Sequence, residues 1–211
     1  MRGSLEHLLL KKIYVNSLEG ISSSLSVLTR QLGLSNEVIE PRLLSLLEKG
    51  SLEKDDSGCF KLSKLGRKQL TVVLTGGTFD LLHTGHIFTF QQSKLLGDLL
   101  VVVIATDKTV EKSKNHTPTN SQTERAQVVK HIREVDAVIV GDENDFINTV
   151  DLIKPDLIAL GYDQKHDEKK LYSKLSSRGH EHVKIIRLKK HIPGKSTSRI
   201  VQDIINHNYR E

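Results

Sequence analysis

From residue 71 to its end the sequence keeps one rhythm, and that rhythm limits what it can fold into. Short β-branched or Leu-rich runs at Thr71–Leu74, Leu99–Ala105, Asp136–Val140, Asp156–Leu160 and Val183–Leu188 alternate with segments of helical pattern. The helical candidates lie at about 86–96, 123–134, 145–154 and 167–178, with a last one at 197–207. The strand runs are continuously apolar rather than alternating, as in strands covered by helices on both faces. This predicts an α/β fold: a doubly wound, Rossmann-like parallel sheet in strand order 3-2-1-4-5. Right-handed crossovers exclude most other windings.

Residues 1–70 have another texture. Apolar positions at Leu28, Leu32, Leu43, Leu46 and Leu47 repeat at helical spacing, and Asp55-Asp56-Ser57-Gly58 reads as a hairpin turn between two short strands. Three helices and a small hairpin describe a winged helix-turn-helix. The stretch from Leu28 through Leu34-Ser35-Asn36 to Lys49-Gly50 resembles that family, as does Leu62-Ser63-Lys64-Leu65-Gly66-Arg67. The expected organisation is a winged-helix-like domain at 1–70 and a second domain at 71–211.

The 211 residues are 37% hydrophobic and 27% charged, enough apolar matter for a buried core. No stretch nears the ~20 apolar residues of a membrane span. Cys59 is the lone cysteine, which excludes an internal disulfide framework. No secretory leader pattern opens the chain, so cytoplasm is the expected compartment. The net charge of +5 suits nucleic acid or small phosphorylated ligands without choosing between them.

The strongest chemical signal is Gly76-Gly77-Thr78-Phe79-Asp80-Leu81-Leu82-His83-Thr84-Gly85-His86, placed after the first strand and running into the first helix. Glycines let backbone N–H groups approach phosphate oxygens, and the helix start adds partial positive charge. His83 and His86 are three apart and share a helical face. Their donors suit an oxygen that gains negative charge in a transition state. Zinc is not expected, because no third ligand has suitable spacing.

The segment resembles the defining motif of the cytidylyltransferase-like superfamily, Gly-x-Phe-Asp-x-x-His-x-Gly-His, and the resemblance extends over residues 72–205. It is nearest to the branch of glycerol-3-phosphate cytidylyltransferases and archaeal FAD synthases. The resemblance implies a nucleotidyltransferase: a substrate phosphate attacks the α-phosphorus of a nucleoside triphosphate, assisted by Mg2+, with no covalent enzyme intermediate. It implies that Gly76, Gly77, Thr78, Phe79, Asp80, His83 and His86 border the triphosphate. Lys112 and Lys114, expected in a polar loop after the second strand, would meet the acceptor phosphate or the triphosphate. Arg125 would point at phosphate. Asp107 also matches the family, and can equally cap a turn.

Two further runs complete the expected site. Gly194-Lys195-Ser196-Thr197-Ser198-Arg199-Ile200 resembles the family's phosphate-binding Ile-Ser-Thr-Ser signature, so Ser196, Thr197 and Ser198 would hold the β- and γ-phosphates. Ser196 or Thr197 is also a natural N-cap for a helix expected to pack one apolar face on the sheet. Lys195 stands where relatives have Ile, and His191 where they have an Arg. Lys190, Lys195 or Arg199 would supply that charge. Gly161, Asp163 and Gln164 follow the fourth strand, which flanks the topological switch point together with the first. In the family this loop borders base and ribose, and Lys154 through Gln164 resembles archaeal FAD synthases.

The expected partners are ATP or CTP and a phosphorylated small molecule. FMN adenylyltransferase is the first reading and CTP-dependent glycerol-phosphate cytidylyltransferase the second. A DNA-binding regulator that senses a nucleotide is the reading from another class. It would need a basic recognition helix. The helix from Asn36 to Lys49 instead offers Glu37, Glu40, Arg42, Glu48 and Lys49, with Pro41 expected to kink or restart it. The amino-terminal part therefore reads as an interaction module, in a possible homodimer, or as a weak DNA binder.

Overall fold

Serine side chains open most helices of the amino-terminal part by accepting a backbone N–H that helical geometry leaves unpaired. The computed structural model describes residues 3–162, 167–189, 192–194 and 196–208. The chain divides into two compact units, Met1–Thr71 and Val72–Glu211. In the first, Ser4 caps α1 (Leu5–Leu18), Ser24 caps α2 (Leu25–Leu32), and Ser35 precedes α3 (Asn36–Glu48). A hairpin of β1 (Leu52–Lys54) and β2 (Phe60–Leu62) and a short α4 (Lys64–Arg67) follow. Asp55 shapes the hairpin turn by accepting from Ser57 and Cys59 N–H, each at 3.0 Å. Leu9, Leu10, Ile13, Leu28, Ile39, Leu43, Leu46 and Leu52 form a core of its own. Contrary to expectation, α3 runs unbroken through Pro41. Proline's fixed φ is helical, and the cost is one missing backbone bond.

The second unit holds a five-stranded sheet in the order β5-β4-β3-β6-β7. Its strands are β3 (Val72–Gly77), β4 (Leu99–Ile104), β5 (Ala137–Val140), β6 (Leu157–Leu160) and β7 (Lys184–Arg187). All neighbours pair parallel. Counted within the unit, the order is the expected 3-2-1-4-5. The helices are α5 (Thr84–Lys94), α6 (Asp107–Lys114), α7 (Gln122–Lys130), α8 (Phe146–Ile153), α9 (Glu168–Ser176) and α10 (Thr197–Asn208). Val73, Leu100, Val102, Ile104 and Ala159 of the inner strands pack with Phe79, Phe90 and Val129. Burial of such aliphatic area, at about 25 cal/mol per Å2, is the main force holding the sheet between its helices. Among the described residues no helix is long and apolar enough to cross a membrane.

Three local expectations are corrected. First, β3 extends through the glycine pair, with Gly76 opposite Val103 and Gly77 opposite Ile104. The glycines end a strand rather than form the turn. Second, Lys112 and Lys114 lie on a helix, not in a loop. Thr106 caps α6, Asn115 closes it in the left-handed region at φ 57°, and Val110 is its buried residue. One buried side chain leaves too little apolar stripe to be read in the sequence. Third, α10 buries its apolar face only in part: Ile200 is half-buried, while Val201, Ile204 and Ile205 are 42%, 54% and 44% exposed. Its attachment lies at its first turn, described below.

Candidate active site

The crevice at the carboxyl ends of β3 and β6 is where doubly wound sheets hold ligands, because the crossovers diverge there. β3 delivers the motif. Any Cβ on Gly77 would stand 2.8 Å from Phe79 Cζ, so only glycine leaves room for the phenyl ring. Phe79 itself has φ 53°, an uncommon left-handed conformation for a bulky residue. Its ring packs at 5.0 Å from Phe90 and edge-on at 5.3 Å from His86.

His83 is the N-cap of α5, its Nδ1 accepting from the Gly85 N–H at 3.1 Å. A neutral imidazole that accepts through Nδ1 carries its proton on Nε2. The His83 and His86 rings stack with centroids 3.9 Å apart and planes at 27°. His86 Nδ1 is buried with no hydrogen-bond partner. Burial, then the neighbouring His83, then the positive charge of Lys114 press the His86 pKa down to about 4. His86 is therefore a neutral imidazole at physiological pH. Of the two α6 lysines, both exposed, it is Lys114 whose charge lowers the His86 pKa.

Asp80, expected to border the triphosphate, and Arg125, expected to point at phosphate, both make hydrogen bonds inside the unit. Asp80 accepts from the N–H groups of Thr119 and Asn120, at 2.7 and 2.8 Å, and from Asn120 Nδ2 at 3.1 Å. Burial pushes its carboxyl pKa up, and these hydrogen bonds outweigh that, leaving it below the usual value. Arg125 is buried inside the unit. Its donors meet the carbonyls of Asn120, Thr78 and Ala105 at 3.0, 2.5 and 2.8 Å, and Asp107 Oδ1 at 2.6 Å. Four of the five N–H donors of this guanidinium are thus turned to acceptors of the protein itself. Asp107 also exchanges bonds with Gln122, its N–H donating to Oε1 at 3.0 Å.

The Ser196–Ser198 run lies at the start of α10. Ser196 Oγ accepts from Arg199 N–H at 3.2 Å, which makes it the cap. Thr197 Oγ1 donates to the carbonyl of Leu81 at 3.4 Å, so this helix start adjoins the histidine motif across 116 residues of sequence. Gly161 follows β6 and is buried, its carbonyl accepting from Arg187 Nη1 at 3.1 Å. Asp163, Gln164, Lys190, His191 and Lys195 lie outside the described residues. Asn120, which links Asp80 to Arg125, was not foreseen. The Ser121/Glu124 capping box beside it is the sequence signal that marks this turn. Among the described residues, no group of three or more His, Cys, Asp and Glu could hold a metal ion.

A model of the family described as cytidylyltransferase-like matches residues 74–203, from β3 into α10. The chain belongs to the cytidylyltransferase-like family. Among its relatives, a FAD synthase of Thermococcus sibiricus is 42% identical over 142 residues, which are 66% of this chain and 95% of that one. A FAD synthase of Thermoplasma volcanium is 39% identical over 141 residues, 65% of this chain and 98% of the relative. A solved structure described as a lipopolysaccharide core biosynthesis protein from Thermoplasma volcanium GSS1 is 42% identical. It covers 58% of this chain and 99% of its own, with a TM-score of 0.56. The cytidylyltransferase-like match includes the whole β3–α5 turn and the start of α10, the two places brought together by Thr197 and Leu81.

Proposed function

We propose that this chain transfers AMP from ATP to FMN, giving FAD and pyrophosphate. The observation that carries the reaction class is the stacked His83/His86 pair at the start of α5, on the switch-point side of the sheet. The choice of ATP and FMN follows the FAD synthase name of relatives about 40% identical.

In this reading an FMN phosphate oxygen forms a bond to the α-phosphorus of ATP as the bond from that phosphorus to the bridging oxygen breaks. Pyrophosphate leaves with both electrons of the broken bond. The protein positions the groups and meets the charge that grows on the phosphate oxygens. His83 and His86 donate hydrogen bonds there, His86 entering as a neutral imidazole. Ser196, Thr197 and Ser198 hold the departing phosphates with hydroxyls and the first N–H groups of α10. Lys114 adds positive charge on the α6 side. The donor set is imidazole, hydroxyl, N–H and ammonium, which suits phosphate oxygens. Magnesium prefers oxygen ligands and comes with the triphosphate, whose charge it partly neutralises.

Residues 71–211 do this work. Residues 1–70 serve as an interaction module, since the exposed residues Glu37, Glu40 and Glu48 of α3 leave Arg42 outnumbered, against DNA binding. A lone cysteine suits the reducing cytoplasm. The test is incubation with each nucleoside triphosphate, magnesium and either FMN or glycerol phosphate, read by chromatography. FAD from ATP and FMN is expected. CDP-glycerol from CTP, with no FAD, would overturn the substrate assignment and keep the reaction class.

A further inference from the structure

We infer that Arg125 is a positioning residue for the histidine pair, a buried strut that acts through the Thr78–Phe79 turn and makes no contact with the nucleotide. The inference rests on reading His83 and His86 as the phosphate-facing pair.

The Arg125 side chain is 0% exposed, and four of the five N–H donors of a guanidinium are taken by the chain itself. The acceptors come from three segments: Thr78 in the motif turn, Ala105 and Asp107 where β4 passes into α6, and Asn120 before α7. A second tie closes a ring. Asn120 gives its carbonyl to Arg125, and its own N–H and side-chain amide to Asp80. Thr78 and Asp80 are thus both held, by Arg125 and by Asn120, which are themselves joined. The residue between them is Phe79, at φ 53°. A bulky side chain in that region costs about 1–3 kcal/mol and persists only where its surroundings over-determine it. Arg125 Nη1 holds the carbonyl of the peptide that enters Phe79, fixing the orientation of that peptide plane. The conformation aims the phenyl ring between Phe90 and His86. The path from strut to histidine is then continuous: Arg125, Thr78 carbonyl, Phe79 ring, His86 ring.

A residue with this role has a signature that phosphate binding lacks. Freed from the strut, the Phe79 turn relaxes and water reaches His86, so the imidazole takes up its proton at higher pH. The experiment follows the His86 ring nitrogens by 15N NMR across pH in the ligand-free protein, for the native chain, Arg125→Lys and Phe79→Leu. Both variants are expected to move the His86 titration up from about 4 toward 6.5. Adding Arg125→Lys to Phe79→Leu should shift it little further, because the path is already cut. In steady state Arg125→Lys should lower kcat about 10²-fold, the scale of a small misplacement at a reacting centre. KM for the triphosphate should stay within about twofold, as for loss of an interaction that acts only on the chemical step. An unmoved His86 titration in folded Arg125→Lys overturns the inference. So does a raised triphosphate KM at constant kcat, which marks a direct phosphate contact. If Arg125→Lys does not fold, Phe79→Leu decides alone: an unmoved titration there breaks the path. The NMR readout needs no turnover, so a protein that makes no FAD but shows the shift loses the substrate assignment and keeps the strut.

Discussion

The two helix starts that meet in the crevice are held very differently. At α5, the turn bearing His83 and His86 is fixed by Asp80 on Asn120, by Arg125 on Thr78 and by the Phe79 ring between Phe90 and His86. At α10, Thr197 reaches Leu81 through a long 3.4 Å hydrogen bond, and Val201, Ile204 and Ile205 stand exposed. One end is preorganised and the other is joined lightly. In phosphoryl transfer the preorganised donors should govern the chemical step, while a lightly held end spends binding energy on ordering itself.

That contrast fixes the order of mutational effects. The largest is expected at the rigid end: His86→Ala should lower kcat by a factor on the order of 10²–10³, the usual cost of losing one preorganised donor. Triphosphate KM should change far less, and a folded variant with unaltered kcat would break the comparison. Gly77→Ala comes next. Its new Cβ meets ring atoms of a packed Phe79 at 2.8 Å, so unfolding free energy should drop by about 1–3 kcal/mol, as for overpacking. Denaturant melts measure this, and a variant as stable as the native chain would show that the turn yields easily. At the loose end, Thr197→Ala should raise triphosphate KM by about fivefold, the equivalent of roughly 1 kcal/mol for one hydrogen bond. A fall in kcat to match that of His86→Ala would mean the two ends are equally fixed.

The remaining expectation concerns pH. The folded state holds the His86 pKa near 4 and the unfolded chain has it at 6.5. The unfolded state therefore binds the proton first as pH falls. Stability is full above 6.5, declines between 6.5 and 4, and levels below 4 as far as this group is concerned. His86→Gln should flatten that part of the curve, measured as the midpoint of denaturant unfolding against pH.

The fold was legible because the strands β3, β4 and β6 are buried on both faces, which requires uninterrupted runs such as Leu99–Ile104. α6 was not, since it buries only Val110 among described residues and is otherwise polar. Residue type singled out the histidines and the Ser196–Ser198 run as candidates, because phosphate asks for donors at particular spacings. Arg125 was found as a residue, but the inward direction of its hydrogen bonds was not foreseen. A surface phosphate ligand and a buried strut look alike in sequence, and only the carbonyls of Thr78, Ala105 and Asn120, on three distant segments, tell them apart. Lys112 and Lys114 were equivalent in sequence, and it is the charge of Lys114 that bears on His86. The exposure of Val201, Ile204 and Ile205 was unreadable too, since with Ile200 they have a core pattern whether or not anything covers them.

The adjacency of β3 and β6 also sets a timetable for the nascent protein. Thr75 Oγ1 donates to the Ala159 carbonyl, and Val72 N–H to Asp156, each across 84 residues of chain. When β3 leaves the ribosome, the strand that belongs on that side of it has not been made. At about 5–20 residues per second the wait is roughly 4–17 s. Until then β3 shows an unpaired edge built of Val72, Val73 and Leu74, which β4 shields from the opposite side only. Open apolar edges invite pairing with other chains. The crevice is thus among the last parts of the molecule to exist, and throughout that wait the open side of β3 is exposed to neighbouring chains.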